Sequence, residues 1–176
     1  TKLTQLNGDK LEKFSLQTET EAKAALERLQ PRDFAVKDIG RKRVHRHPPP
    51  PFTTSTLQQE ASRKLGFTTR HTMSVAQRLY EGVNIDGETV GLITYMRTDS
   101  VQIGKEALAA SRDAIASDYG QNYLPSAPRV HKSKAKNAQE AHEAIRPTVF
   151  QQRPESMSKF LDSDQAKLYG LIWKRT

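Results

Sequence analysis

The segment Gly91-Leu92-Ile93-Thr94-Tyr95-Met96-Arg97-Thr98-Asp99-Ser100 sets a tyrosine hydroxyl two residues before a guanidinium. The apolar run breaks there into an Asp-Ser pair of the kind that starts helices. A free tyrosine titrates near ~10 and is a weak nucleophile at neutral pH. A permanent cation beside it favours the phenolate and can also grip a phosphodiester, so the pair suits attack on nucleic acid. On a strand, residues 95 and 97 project from the same face. Thr98, Asp99 and Ser100 would add polar groups at a helix N-terminus, where free backbone N–H groups attract phosphate. A tyrosine closing an apolar strand for packing alone is the competing reading, and the segment by itself leaves both open.

A second cluster is Ala138-Gln139-Glu140-Ala141-His142-Glu143-Ala144-Ile145-Arg146-Pro147-Thr148. Its pattern predicts a short helix from Asn137 to Ile145, ended by Arg146-Pro147. His142 and Arg146, four apart, would share a helix face. Histidine donates to a phosphate oxygen or moves a proton near neutral pH, and arginine binds phosphate through two N–H groups. A surface helix with ordinary charge pairs is the alternative. Glu140, His142 and Glu143 do not have the zinc-protease spacing and lack a third ligand, so no metal site is read here.

Several elements must position these residues. Leu3 to Leu6 and Leu11 to Leu16 read as short strands about Asn7-Gly8, a strong hairpin-turn signal. Thr18 or Thr20 starts a helix carrying Ala22, Ala25, Leu26 and Leu29, which Pro31 ends; Phe34, Val36 and Ile39 read as a further strand. The run from Gly40 to His47 is basic, serving either phosphate contact or protection of a strand edge. Pro48 to Pro51 predict a stiff polyproline II boundary.

Beyond it, Thr54 or Ser55 caps a helix with Leu57, Ala61 and Leu65, closed by Gly66. A second helix carries Met73, Ala76, Leu79 and Tyr80, closed by Gly82. The pair is compatible with a helix-turn-helix or with any αα-hairpin. Asp86-Gly87 is a turn, Val90 to Met96 a buried strand, and Asp99 or Ser100 the cap of a helix from Lys105 to Tyr119. Residues 121–136 read as loop, and Ser163 or Asp164 caps a last helix with Leu168, Leu171, Ile172 and Trp173. The fold class is therefore α+β: a mainly helical part with helix-turn-helix-like elements and a short strand, plus a partial β-rich part.

At 176 residues, 35% of them hydrophobic, the chain can bury one or two modest cores. With 28 Lys and Arg against 20 Asp and Glu it carries +8, divided as 11 minus 7 over residues 1–52 and 17 minus 13 over residues 53–176. Such a balance suits a polyanionic partner. There is no cysteine, which excludes disulfides and thiolate metal sites. No apolar run nears the ~20 residues of a membrane span and no signal-peptide pattern opens the chain, so a soluble, cytoplasmic protein is expected. Because the chain begins mid-pattern at Thr1-Lys2-Leu3, it reads as a piece of a larger one.

Three segments together carry a resemblance: Pro49-Pro50-Pro51-Phe52-Thr53-Thr54-Ser55-Thr56-Leu57-Gln58-Gln59-Glu60-Ala61, then Gly91 to Ser100, then Ala141 to Thr148. Leu168-Tyr169-Gly170-Leu171-Ile172-Trp173 agrees with them. In order and spacing the chain resembles the type IA DNA topoisomerases, most closely their bacterial topoisomerase I branch. The resemblance implies that Tyr95 is the nucleophile, forming a 5′-phosphotyrosine link with one DNA strand, and that Arg97 positions the scissile phosphate. It implies that His142 contacts DNA, with Thr94, Thr98 and Arg146 in supporting DNA-binding roles. It further implies relaxation of negatively supercoiled DNA without ATP, and a magnesium requirement met by an acidic domain. That domain is not in this chain: Asp162-Ser163-Asp164 has the spelling of its Asp-x-Asp motif but precedes a helix as loop. By the same resemblance, residues 1–52 are part of a β-rich arch with the proline linker, and residues 53–176 the active-site tyrosine domain. Such a piece is expected to bind single-stranded DNA without cleaving it, and an incomplete arch to self-associate through free strand edges. The competing reading is a non-catalytic helix-turn-helix DNA-binding module over residues 54–82.

Overall fold

The computed structural model describes residues 2–36, 38–131 and 143–176, and the chain divides into two compact units, Thr1–Arg46 and His47–Thr176. In the first unit, β1 (Gln5–Leu6) and β2 (Asp9–Lys10) pair antiparallel, with Gln5 opposite Lys10. Asn7 and Gly8 join them at φ of 56° and 94°, the two left-handed residues that a type I′ turn requires. The helix α1 (Glu19–Leu29) starts at Thr18, whose hydroxyl accepts the Glu21 N–H while the Glu21 carboxylate accepts the Thr18 N–H. Arg28 Nη2 donates to Asn7 Oδ1 at 2.6 Å and ties α1 to the turn. The strands are shorter than the pattern suggests, and Phe34, Val36 and Ile39 form none. They are exposed, and Ala25 is the one buried residue among the described residues of this unit, so these side chains have no buried core to pack on as a further strand.

The second unit holds α2 (Thr54–Leu65), α3 (Thr69–Glu81), the hairpin β3 (Val83–Ile85) and β4 (Glu88–Val90), α4 (Lys105–Tyr119), α5 (Pro154–Met157) and α6 (Ser163–Arg175). Thr53 and Thr56 form a reciprocal cap at the start of α2, and Gly66 closes it in the left-handed region at φ 71°. Thr68 caps α3 by accepting the His71 N–H. Asp86 and Gly87 turn the hairpin at φ of 52° and 99°. The cap of α6 is Asp162 rather than Ser163 or Asp164: its Oδ1 accepts the N–H groups of Asp164 and Gln165. The Gln165 N–H and the Arg78 guanidinium together hold the Asp162 carboxyl below the usual carboxylate range.

Three helices, α2, α3 and α6, enclose the core. Leu57 and Ala61, Val75, Ala76 and Leu79, and Leu168, Tyr169 and Ile172 are all fully buried there. Each large apolar side chain so placed contributes on the order of 1.5–3 kcal/mol. Tyr169 keeps its hydroxyl satisfied by donating to the Gln152 carbonyl at 2.6 Å, and burial pushes its phenol well up. The proline run belongs to this unit: Arg175 at the end of α6 donates to the Pro50 carbonyl at 2.7 Å and lies 4.5 Å over the Phe52 ring.

The stretch read as a strand from Val90 to Met96 is regular only at Val90, where β4 ends. Beyond it the chain is extended but paired at isolated points, Ile93 with Pro147 and, nearby, Phe52 with Ile145. The Leu92 carbonyl accepts the Thr148 N–H at 3.0 Å and the Arg146 carbonyl accepts the Thr94 N–H at 2.9 Å. These bonds flank the Ile93–Pro147 pair, so Pro147 sits where an antiparallel ladder needs no N–H from it. The proposed helix from Asn137 to Ile145 ends differently from its pattern. Residues 143–145 are not helical, while 137–142 lie outside the described residues. Pro147 disfavours the helical region for Arg146, and Ile145 is spent on pairing with Phe52.

Gly91 is where this segment comes closest to the end of α3. A Cβ on it would meet the Tyr80 carbonyl oxygen at 2.7 Å, and the next residue, Leu92, donates its N–H to the Leu79 carbonyl at 2.8 Å. Gly91→Ala therefore forces backbone away from backbone. It is expected to lower stability by about 1–3 kcal/mol, read as a fall in the urea midpoint at unchanged slope.

Candidate active site

Tyr95 and Arg97 are both exposed, and Met96 between them is buried to 1%. The alternation expected of an extended segment is thus present without a regular sheet. Met96 anchors the pair in the helical core, so two polar side chains stand on solvent from a backbone that cannot rotate them away. Among the described residues Arg97 is in no ion pair, which leaves its guanidinium available for an anion. Exposure alone does not single out Tyr95, since Tyr80, Tyr119 and Tyr123 are exposed too. Its combination of anchored backbone and adjacent free cation does.

Thr94 and Thr98 are occupied on the protein's own backbone. The Thr94 hydroxyl donates to the Ala144 carbonyl at 2.7 Å and accepts the Arg146 N–H at 3.0 Å. The Thr98 hydroxyl accepts the Ser100 N–H at 3.1 Å. Thr54, in the first turn of α2, accepts the Thr98 N–H at 2.9 Å and donates to the carbonyls of Met96 and Thr98. Residues 94–98 are in this way held at both ends by threonine hydroxyls.

Arg146 is also engaged. Its Nε and Nη2 donate to Glu143 Oε2 at 3.1 and 2.5 Å, and Nη1 donates to the Pro147 carbonyl at 2.9 Å. The other carboxylate oxygen, Glu143 Oε1, accepts the Gly104 N–H at 2.6 Å. Gly104 is the N-cap of α4 and has no side chain to accept the first-turn N–H groups; Glu143, from a distant segment, instead accepts the N-cap's own N–H and complements the positive end of the helix. The expected phosphate-attracting helix start at Asp99 or Ser100 is corrected accordingly. The helix begins at Lys105, Ser100 is buried in a local turn with its Oγ accepting the Gln102 N–H, and the Gly104 N–H is taken by a carboxylate. His142 lies outside the described residues, and Arg146 projects from an extended segment rather than a helix face.

Sequence reasoning did not find Glu143, Thr54 or Tyr80 as organisers of this region. Glu143 was legible only as a neighbour of His142, because its partner Gly104 is 39 residues away. Tyr80, grouped by helical spacing with the core, instead stands in edge contact with Tyr95, ring centroids 5.3 Å apart. Among the described residues no group of three or more His, Asp or Glu side chains gathers where a metal ion would bind. No helix among them is long and apolar enough to cross a membrane.

The site therefore presents an anchored tyrosine and, two residues on, an arginine in no ion pair among the described residues, on a basic helical scaffold. A sequence model described as DNA topoisomerase matches residues 1–176, and the chain belongs to that family. It is 56% identical over 175 residues to DNA topoisomerase 1 of Rickettsia felis, covering 99% of this chain and 23% of that protein. With DNA topoisomerase 1 of Xylella fastidiosa the identity is 52% over 179 residues, covering 99% of this chain and 22% of the relative. The full-length topoisomerase I of Thermotoga maritima matches with a TM-score of 0.63 and 48% identity, over 73% of this chain and 19% of that one. The chain therefore spans less than a quarter of the length of these relatives.

Glu143 is the joint between α4 and the 143–148 segment. Glu143→Ala removes the carboxylate acceptor of the Gly104 N–H and of Arg146, whose side chain is only 13% exposed. It is expected to lower the stability of the second unit by about 1–3 kcal/mol, measured by chemical denaturation, with Glu143→Gln intermediate.

Proposed function

We propose that this chain is the nucleophile-bearing part of a type IA DNA topoisomerase, with Tyr95 as the attacking residue. The observation that supports this most directly is the exposed Tyr95–Arg97 pair anchored by buried Met96. Tyr95 Oη gives up its proton and attacks the phosphorus of one strand. The bond to the 3′ oxygen breaks, that oxygen takes up a proton, and the phosphorus is left joined to the tyrosine and to the 5′ oxygen. Arg97 faces the non-bridging oxygens and offsets their growing charge. Resealing runs the same exchange backwards, so the energy of the broken bond is retained and no ATP is consumed.

In this reading Thr94, Thr98 and Arg146 support DNA binding by holding the loop that presents Tyr95 and Arg97, and His142 contacts the DNA near them. Magnesium does not fit the described residues of this chain, which gather no acidic cluster. We assign it to an acidic domain of the longer enzyme, and every step assigned here belongs to side chains of this chain. Residues 1–52 are proposed as part of the arch and the proline linker, and residues 53–176 as the tyrosine domain of a bacterial enzyme acting in the cytoplasm on negatively supercoiled DNA. The helix-turn-helix alternative is less favoured because one flank of α3 is spent on α6: His71 meets Asp164 at 2.8 Å and Arg78 meets Asp162 at 2.7 Å.

Two measurements test this. In the full-length parent, Tyr95→Phe should lower the covalent protein–DNA adduct by about 10³-fold or more while DNA affinity is kept. An intact adduct would mean a binding module. The 176-residue chain should bind single-stranded DNA in a fluorescence-anisotropy titration and lose it steeply between about 50 and 200 mM salt, without cleaving. A chain that ignores single-stranded DNA at low salt contradicts the DNA-binding assignment.

A further inference from the structure

We propose that Tyr80 is a positioning residue for Tyr95; this rests on the reading of Tyr95 as the nucleophile. Tyr80 occupies the last turn of α3, next to core residue Leu79, yet it is 40% exposed and takes no place in the core cluster. Its ring is turned instead onto Tyr95, at 5.3 Å between centroids and 65° between planes, the edge-on geometry that aromatic rings prefer. Tyr95 is itself 44% exposed, so without this contact its ring would face water and sample its rotamers freely.

The backbone around the pair is built to keep them together. The Leu79 carbonyl accepts the Leu92 N–H at 2.8 Å, and Gly91 lies so close to the Tyr80 carbonyl that no side chain fits between. On the other side the Thr148 hydroxyl donates to the Gly91 carbonyl at 2.7 Å. The end of α3 and the segment bearing Tyr95 are therefore in fixed register, and the β3–β4 hairpin is the connection that returns the chain to that point. Gly82 at its start has φ 117°, with the Thr89 and Val90 atoms of β4 packed where a Cβ would stand. A nucleophile needs its oxygen in line with the bond to be broken, and a misplacement of about 1 Å can lower the rate by about 10²-fold. The Tyr80 ring supplies the lateral support that Met96, beneath the backbone, does not give.

The test uses Tyr80→Leu and Tyr80→Phe, since Tyr80 is outside the core and neither change opens a cavity. In the full-length parent, Tyr80→Leu is expected to slow covalent adduct formation by about tenfold or more at unchanged DNA affinity, and Tyr80→Phe, which keeps the ring, to restore it. In the chain described here, NMR of labelled tyrosine should show the Tyr95 ring protons displaced by the neighbouring ring current in wild type and Tyr80→Phe. In Tyr80→Leu that displacement should be lost. Wild-type cleavage by Tyr80→Leu, or Tyr95 resonances that do not move, would overturn the proposal. So would a loss of affinity and stability matching the loss of rate that Tyr80→Phe fails to restore. Tyr95→Phe serves as the separate control: an adduct that survives it rejects the nucleophile reading, while the NMR comparison still reports whether Tyr80 orders the Tyr95 ring.

Discussion

The second unit depends on one constraint, the clamping of residues 91–98 between the end of α3 and residues 144–148. Leu92 is bonded to Leu79 on one side and to Thr148 on the other, and Thr94 is bonded to Arg146 through both backbone and hydroxyl. Thr54 closes the far end on Thr98. Leu92, Ile93 and Met96 are meanwhile driven into the core of α2, α3 and α6. Apolar burial supplies the drive and hydrogen bonds set the register, and neither alone would hold an irregular segment.

That arrangement explains why several polar groups in the region do not face outward. Glu143 serves α4 and Arg146 at once, and Thr94 serves two carbonyl-bearing residues of the same segment. Their removal would act on Tyr95 and Arg97 through the backbone rather than through lost contact with a ligand. Tyr95 and Arg97, by contrast, are exposed on either side of buried Met96. For the covalent exchange proposed at Tyr95, a side chain on a backbone already held in place leaves little to be reorganised.

Local signals in the chain were legible where they are local in cause. The left-handed turns at Asn7-Gly8 and Asp86-Gly87, and the span of α4 from Lys105 to Tyr119, follow from residue types a few positions apart. The cap of α4 was not legible, because its acceptor comes from Glu143 across 39 residues. The extended run after Val90 reads as a strand by its apolar content, yet its one pairing among the described residues is the isolated Ile93–Pro147 bridge, whose partner lies more than 50 residues away. Tyr80 fits the helical period of the core, and its outward turn toward Tyr95 depends on a hairpin and a glycine that no periodicity records. The alternation of Tyr95, Met96 and Arg97 could be read directly, since it needs only an extended backbone and one buried side chain. What holds that backbone extended is tertiary.

The proposed function rests on a covalent bond to DNA forming at Tyr95. The direct measurement is to trap the adduct in the full-length parent, digest protein and DNA, and locate the remaining nucleotide by mass spectrometry. A 5′-linked nucleotide is expected on the peptide containing Gly91 to Arg97, with fragment ions placing it on Tyr95. A nucleotide found on Tyr80, on a threonine of the same region, or on a peptide elsewhere in the parent would contradict it.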